Sequence, residues 1–186
     1  MWLAEKELLT ETEPNPLIGA RAGDLRSFEL LVEPLLEPGY RLAVVMLQDR
    51  TEAEDVLQEA TFRAWRSIRS FRGERASLKS WFLTIVANQC RQTRRARWWS
   101  VVRGVTRVRD LAQPEDMVIQ RSDLANAVAE LGHEDRVALH LYFGLDIPIA
   151  DVARVLRVSP RGAKSRIHRA LKRLRIDLEE QEILQL

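Results

Sequence analysis

Cysteine, histidine and long apolar runs are nearly absent from this sequence. The 186 residues include one cysteine and three histidines. The single cysteine, Cys90, excludes an internal disulfide and a metal cage built from cysteines. We interpret it as a small, half-buried residue; a reactive thiol is the alternative. The longest apolar runs, such as Leu42 to Leu47 and Trp81 to Ala87, are too short to span a bilayer.

A secretion signal is also missing from the start of the sequence. The first residues, MWLAEKELLTETEP, have neither the basic segment nor the apolar segment of a signal peptide. A single cysteine suits a reducing compartment. The sequence therefore predicts a cytoplasmic protein that does not insert into a membrane.

Proline and glycine are scarce and fall between segments of helical periodicity. The chain has 7 prolines and 8 glycines. This pattern predicts an all-α fold made of two small helical domains joined by a linker. The predicted boundaries are a lead-in over residues 1–16, a first domain over 17–97, a linker over 98–113, a second domain over 114–178 and a tail over 179–186.

Breakers and caps set the predicted helix boundaries in the first domain. We expect helical segments over 17–37 and 40–47, separated by Pro38 and Gly39. Thr51, followed by Glu54, predicts a capping box for a helix over 52–68. The fourth helix is expected to end near Arg97.

Acidic residues are absent from two long stretches of the chain. The stretches from Arg75 to Arg109 and from Val152 to Ile176 each hold nine Lys or Arg and no Asp or Glu. The net charge of +2 therefore conceals two strongly basic blocks within an acidic remainder. Such segregation indicates two surfaces that face polyanions.

The second basic block has the pattern of a helix-turn-helix. A short helix over 149–156 is followed by a turn, Ser159 as N-cap and Pro160 at the first helical position. The predicted inward stripe of the second helix is Ala163, Ile167, Ala170, Leu171 and Leu174. A helix of this width fits the major groove of DNA. The alternative is a basic helix face that only meets solvent, but exposed helices usually mix acidic residues with basic ones. His168 lacks a partner at metal-ligand spacing, so no metal site is expected.

The first basic block combines arginines with aromatic residues. Trp98 and Trp99 directly follow four of its arginines, and Phe71 lies in the loop before the helix. Basic residues contact phosphates, and aromatic rings stack on bases that have left the duplex. The mixture favours single-stranded or opening DNA, although the tryptophans are also suited to packing the helix end.

One predicted helix face carries carboxylates instead. Asp55, Gln58, Glu59 and Phe62 share the outer side of the helix over 52–68. No histidine or third acid completes a catalytic or metal site there. A docking surface for a basic protein helix is the better interpretation.

These motifs together resemble the extracytoplasmic-function sigma factors of bacteria. The runs EAEDVLQEATFRAW and SFRGERASLKSWFLTIVANQCRQTRR are similar to region 2 of that family. The runs PEDMVIQRSDLANAVAEL, VALHLYF and IADVARVLRVSPRGAKSRIHRALKRLR are similar to region 4. The resemblance covers about residues 17–176, with both regions in the family's order and spacing.

The resemblance implies a role for each matching residue. Docking on the clamp helices of the largest RNA polymerase subunit would fall on Asp55, Gln58, Glu59 and Phe62. Capture and opening of the minus-10 element would fall on Phe71, Arg72, Arg75, Ser77, Lys79, Asn88, Arg91, Gln92, Arg94 and Arg95, with Trp98 and Trp99 as stacking residues. Reading of the minus-35 element would fall on Arg161, Lys164, Ser165, Arg166, His168 and Arg169.

The resemblance also implies partners and an overall activity. The expected partners are core RNA polymerase (the clamp helices and the flap of the second-largest subunit), promoter DNA and, as for many members, an anti-sigma factor. The chain would direct core polymerase to promoters and assist DNA melting, with no cofactor and no catalysis of its own. It departs from the family at three places. Arg157 stands where glycine is usual, Arg161-Gly162 where Gly-Thr is usual, and Pro148 where a small polar residue is usual before the first helix of the motif.

Three other functions explain less of the sequence. A stand-alone helix-turn-helix regulator leaves the first basic block and the acidic helix face unused. A nuclease needs a converging set of Asp, Glu and His residues that the sequence does not offer. A membrane-surface protein needs apolar faces beyond those matched to internal cores.

Overall fold

The fold is all-α throughout the described residues. This computed structural model describes residues 15–74, 77–102 and 123–184, and the predicted all-α class is confirmed there. The helices are α1 (Pro16–Ala22), α2 (Leu25–Leu47), α3 (Arg50–Ser67) with a 3₁₀ turn (Ile68–Ser70), α4 (Leu78–Val102), α5 (Asp123–Glu130), α6 (His133–Leu139) with a π-helical turn (His140–Gly144), α7 (Ile149–Leu156) and α8 (Pro160–Leu184).

The first helical unit is built around α4. Helices α2, α3 and α4 pack against one another, and α1 packs on α2. Phe82, Leu83 and Val86 of α4 are fully buried in the core, as is Leu42 of α2. Each such side chain stabilises the fold by about 1.5–3 kcal/mol through removal of apolar surface from water.

Helix α2 is continuous where the sequence predicted a break. Pro38 and Gly39 were expected to separate two helices, yet α2 continues through both. Gly39 is buried, and a Cβ there would lie 2.9 Å from Phe82 Cε1 and 3.0 Å from Leu57 Cδ1. The missing side chain lets α3 and α4 approach the α2 backbone. Packing of the three helices therefore outweighs the local cost of a proline inside a helix.

Other helix ends also differ from the prediction. Asp49, not Thr51, caps α3: its Oδ1 accepts a hydrogen bond from the Glu52 backbone N–H at 2.9 Å. Asp49 has the extended backbone of an N-cap, which leaves Thr51 inside the first turn. Helix α4 continues to Val102, so residues 98–102 of the predicted linker are helical. Residues 103–113 of that linker lie outside the described segments, as do the predicted lead-in up to residue 14 and the start of the predicted second domain.

The second helical unit packs α5, α6 and α7 against α8. The predicted bounds of α7 are confirmed, whereas α8 continues beyond residue 178 to Leu184. Ala163, Ile167, Ala170 and Leu174 are buried, as predicted. Leu171 is 42% exposed, so its predicted inward orientation is wrong. The stripe of the other four residues already fills the side of α8 that faces α6 and α7.

The two units contact each other through α4 with α7 and through α2 with α6 and the π-helical turn. His140 lies at the second contact. Burial lowers its pKa to about 4, and the nearby Arg41 adds to that effect. The imidazole is therefore neutral at physiological pH and does not repel Arg41.

Gly39→Val should destabilise the protein because the new side chain meets Phe82 and Leu57 in a packed core. We expect a loss of about 1–3 kcal/mol in the free energy of unfolding, measured by urea denaturation. Glu33→Val, at an exposed position of the same helix, is the matched control for β-branching. Equal losses in the two variants would contradict the packing role of Gly39.

Candidate functional site

The outer face of α3 presents the four residues predicted to meet a protein partner. Asp55, Gln58, Glu59 and Phe62 are all exposed, and the Phe62 ring retains 55% of its surface. Glu59 pairs with Arg63 of the next turn at 2.7 Å. An exposed i,i+4 pair of this kind stabilises a helix only weakly. The Glu59 carboxylate therefore remains accessible to another cation.

A groove runs between α2 and α3 beside that face. Its volume is about 530 Å³, and its lining residues are Leu25, Phe28, Glu29, Leu36, Glu54, Leu57, Gln58, Thr61, Phe62 and Trp65. Phe28 and Trp65 meet edge to face within it, with ring centroids 5.1 Å apart. The lining is apolar and aromatic, with the carboxylates Glu29 and Glu54 among it. Such a groove fits the apolar side chains of a helix that also carries basic residues.

Sequence reasoning missed the α2 side of this groove. Leu25 is 53% exposed. Leu25, Phe28 and Leu36 follow one side of the helix, at spacings that place them on a common face. The signal was an apolar stripe on α2 wider than one core needs.

The residues predicted to contact the minus-10 element divide by exposure. Arg72, Gln92, Arg94, Arg95, Trp98 and Trp99 are exposed; Ser77, Lys79, Asn88 and Arg91 are half-buried. Arg75 lies outside the described residues. Trp98 and Trp99 retain 58% and 47% of their surface, with ring centroids 4.8 Å apart. The end of α4 thus presents arginines and two indole rings together.

Phe71 does not lie on this surface. Its ring is only 8% exposed and packs on Trp81, with centroids 4.9 Å apart. Arg21 lies over the same ring and donates a hydrogen bond to the Gly73 carbonyl at 2.8 Å. In this structure Phe71 supports the loop from inside, and its ring is not exposed for the predicted contact with a flipped base.

The half-buried residues of α4 face the second helical unit. Lys79 Nζ donates to the Leu145 carbonyl at 2.6 Å. The Arg91 guanidinium donates to the Val155 carbonyl and, at 2.7 Å, to Asn88 Oδ1. Burial lowers the pKa of Arg91, and the nearby positive charge of Arg157 lowers it further. These side chains therefore bond within the chain rather than to solvent.

The recognition helix of the helix-turn-helix is α8. Ser159 caps it as predicted, because its Oγ accepts from the Gly162 backbone N–H at 3.1 Å. The exposed members of the predicted minus-35 set are Arg161, Lys164, Ser165, His168 and Arg169. A cationic helix face of this kind matches the anionic walls of a major groove.

Arg166 is the member of that set that turns inward. Its guanidinium pairs with Glu134 of α6, and the Arg166 side chain is 24% exposed. Arg169 lies 3.9 Å from Asp135 and stays 67% exposed. Arg166 therefore links α8 to α6 in this structure, whereas Arg169 remains largely exposed.

Cys90 is fully buried, more than the half-buried position predicted for it. Burial raises the pKa of its thiol to about 12, so the thiol is inert at neutral pH. In the described segments, no group of three His, Cys, Asp or Glu residues is arranged to hold a metal ion. No helix found there has the length and apolar character needed to cross a bilayer.

Comparison with known proteins matches both helical units. The model for Sigma-70 region 2 matches residues 31–100, and the model for Sigma-70, region 4 matches residues 121–174. The ECF RNA polymerase sigma factor SigX of Bacillus subtilis is 30% identical over 164 residues, which are 82% of this chain and 84% of SigX. SigL of Mycobacterium tuberculosis is 27% identical over 167 residues, which are 87% of this chain and 94% of SigL.

A solved structure is similar over most of the chain. It is the sigma factor RpoE of Bartonella quintana, crystallised with the anti-sigma factor NepR, at a TM-score of 0.67 and 26% identity. The match covers 83% of this chain and 98% of that one. Both regions, in the same order, thus occur here on one helical chain with a basic helix-turn-helix. The chain belongs to the extracytoplasmic-function family of RNA polymerase sigma factors.

Proposed function

We propose that this sigma factor uses three separate surfaces, one for core RNA polymerase and two for promoter DNA. The groove between α2 and α3 binds polymerase, the end of α4 binds the minus-10 element and α8 binds the minus-35 element. One observation carries the proposal: one chain presents an apolar groove that contains carboxylates, between α2 and α3, and two cationic surfaces, on α4 and α8. A protein that met only DNA would not need the first of these.

The polymerase surface is supported by its chemistry. Phe62 and Leu25 expose apolar surface that a partner helix would cover, and Glu29 and Glu54 line the same groove. Burial of an aromatic side chain at the centre of an interface often dominates its affinity. The surrounding carboxylates would select a partner with basic residues, such as the clamp helices of the largest polymerase subunit. The flap of the second-largest subunit is a second contact, which we assign to the α5–α8 unit.

The DNA surfaces are suited to different states of the promoter. The face of α8 is regular and cationic, which suits intact duplex. The end of α4 adds Trp98 and Trp99 to its arginines, which suits unpaired bases. Flipping a base costs a few kcal/mol, and stacking on an aromatic ring returns about 1–3 kcal/mol per base. Capture of unpaired bases by α4 therefore favours the melted promoter.

Core polymerase supplies the chemistry of RNA synthesis, and this chain supplies the choice of promoter. We assign it no catalytic residue and no cofactor, and a place in the cytoplasm with the polymerase. An anti-sigma factor is a further proposed partner, since the similar RpoE was crystallised with one.

Transcription with purified components tests the proposal. Core polymerase, a genomic DNA library and the full chain should yield RNA starting at discrete sites. Core polymerase alone should not yield those RNAs. Identical start sites with and without the chain would overturn the proposed function.

Phe62→Ala should weaken binding to core polymerase without unfolding the protein, because the ring is exposed and only a partner would bury it. We expect a loss of at least about 2 kcal/mol, measured as a dissociation constant by fluorescence anisotropy. Leu30→Ala is the matched control, since Leu30 is 56% exposed on α2 and does not line the groove. Equal affinities for Phe62→Ala and wild type would contradict the docking role.

Lys164→Ala should weaken binding of the holoenzyme to its promoters more than Lys172→Ala does. Both lysines are exposed on α8, but Lys164 lies in the N-terminal half that reaches base edges. We expect a loss of about 1–3 kcal/mol for Lys164→Ala, measured by filter binding against a scrambled minus-35 control. If the two variants lose the same affinity on both DNAs, α8 contributes only non-specific charge.

A further inference from the structure

The contact between α4 and α7 is made by cationic side chains and neutral acceptors. Arg157, which follows α7, donates to Asn88 Oδ1 at 2.8 Å, and Arg91 donates to the same oxygen at 2.7 Å. Arg91 also donates to the carbonyl of Val155 in α7. Lys79, near the start of α4, donates to the carbonyl of Leu145, which lies just before α7. We call this set, Lys79, Asn88, Arg91 and Arg157, the α4–α7 latch.

The latch bonds its positive charges to neutral acceptors, although the negative charge of Glu134 favours the charged form of Arg91. In the described part of the chain, the recorded acceptors for Arg91 and Arg157 are amide and carbonyl oxygens, with no carboxylate among them. Two guanidinium groups that share one oxygen also repel each other. A bond from a cation to a neutral oxygen is weaker than a bond from the same cation to a phosphate. An anionic ligand can therefore compete for both arginines.

Arg157 occupies a backbone conformation that suits glycine. Its φ of 57° and ψ of 43° are left-handed, and it ends α7. A residue with a Cβ is strained in this conformation, whereas glycine is not. The helix end alone would thus be more stable with glycine. What arginine adds is the bond to Asn88, which connects the helix-turn-helix to the other unit.

We propose that Arg157 latches the helix-turn-helix over α4 in the free protein, and that DNA phosphates open this closed state by competing for Arg91 and Arg157. The hydrogen bonds of the latch support the closed state whatever the function of the protein. The consequence of the closed state for promoters rests on the proposed function.

The closed state hides part of the surface assigned to the minus-10 element. Lys79, Asn88 and Arg91 belong to that surface, and in the closed state their polar atoms bond to the second unit or to each other. The second unit must move away before a DNA strand can take those positions. The latch therefore keeps the free protein from holding melted DNA before polymerase positions it.

Single-molecule FRET on the full chain tests the latch. Dyes placed by Glu33→Cys on α2 and Lys172→Cys on α8 report the separation of the two units, and both positions are exposed. Cys90 is buried, with the pKa of its thiol raised to about 12, so maleimide dyes spare it at neutral pH. Arg157→Gly should raise the ratio of open to closed molecules roughly three- to ten-fold. It should leave the unfolding midpoint unchanged or higher.

Two control variants distinguish loss of the latch from relief of backbone strain and from loss of a positive charge. Gln48→Gly relieves the same left-handed strain, at a φ of 56°, at the end of α2 and should leave the FRET distribution unchanged. Arg173→Ala removes one exposed positive charge from α8 and should also leave it unchanged. Asn88→Ala should open the protein because it removes the acceptor of both Arg157 and Arg91. Adding Arg157→Gly to Asn88→Ala should then have no further effect, because the bond from Arg157 to Asn88 is already lost.

The same dye pair tests opening by phosphates. Titration with oligo-dT should open wild type, and chloride at equal ionic strength should not. A FRET distribution for Arg157→Gly identical to wild type, or equal opening by Arg173→Ala, would overturn the latch. Run-off transcription by the same preparations decides the proposed function independently, because a latch that opens in a protein unable to direct transcription would refute that function alone.

Discussion

The burial of one face of α4 is the interaction on which the rest of the structure depends. Phe82, Val86 and Cys90 lie fully inside the first core, against α2 and α3. This burial fixes the rotation of the helix about its axis. The opposite face then presents Asn88 and Arg91 toward the second unit, and the end of the helix carries the exposed tryptophans. A change in the packing of α4 would move both DNA surfaces and the latch together.

Segregation of charge gives each surface a different partner. The groove between α2 and α3 combines apolar side chains with carboxylates, so it suits a basic protein helix and repels DNA. Helix α8 and the end of α4 have the opposite charge. A net charge of only +2 conceals this division, which is why net charge alone says little about partners here. The arrangement lets one chain bind an enzyme and a nucleic acid without competition between them.

Much of the fold followed from local sequence signals, and much of what failed depended on distant residues. The bounds of α7, the Ser159 cap and the exposure of the α3 face were predicted from periodicity and capping chemistry. The continuation of α2 through Pro38 was not, because it depends on Phe82 and Leu57 approaching Gly39. The latch was also not predictable from the sequence: two of its bonds are accepted by backbone carbonyls, and the two bonds to Asn88 depend on how the two units pack. Only Arg157, as a departure from the family pattern, pointed to that place.

The central claim is that one face of α4 serves the second unit in the free protein and DNA in the transcribing complex, but never both. A cleavable bridge tests it most directly: Asn88→Cys and Arg157→Cys joined by a short bismaleimide that contains a disulfide. The bridged protein should bind core polymerase, because the groove on α3 is untouched, yet yield little run-off RNA on templates that the unbridged variant transcribes. Reductant should restore the RNA. Equal RNA before and after reduction would contradict the account.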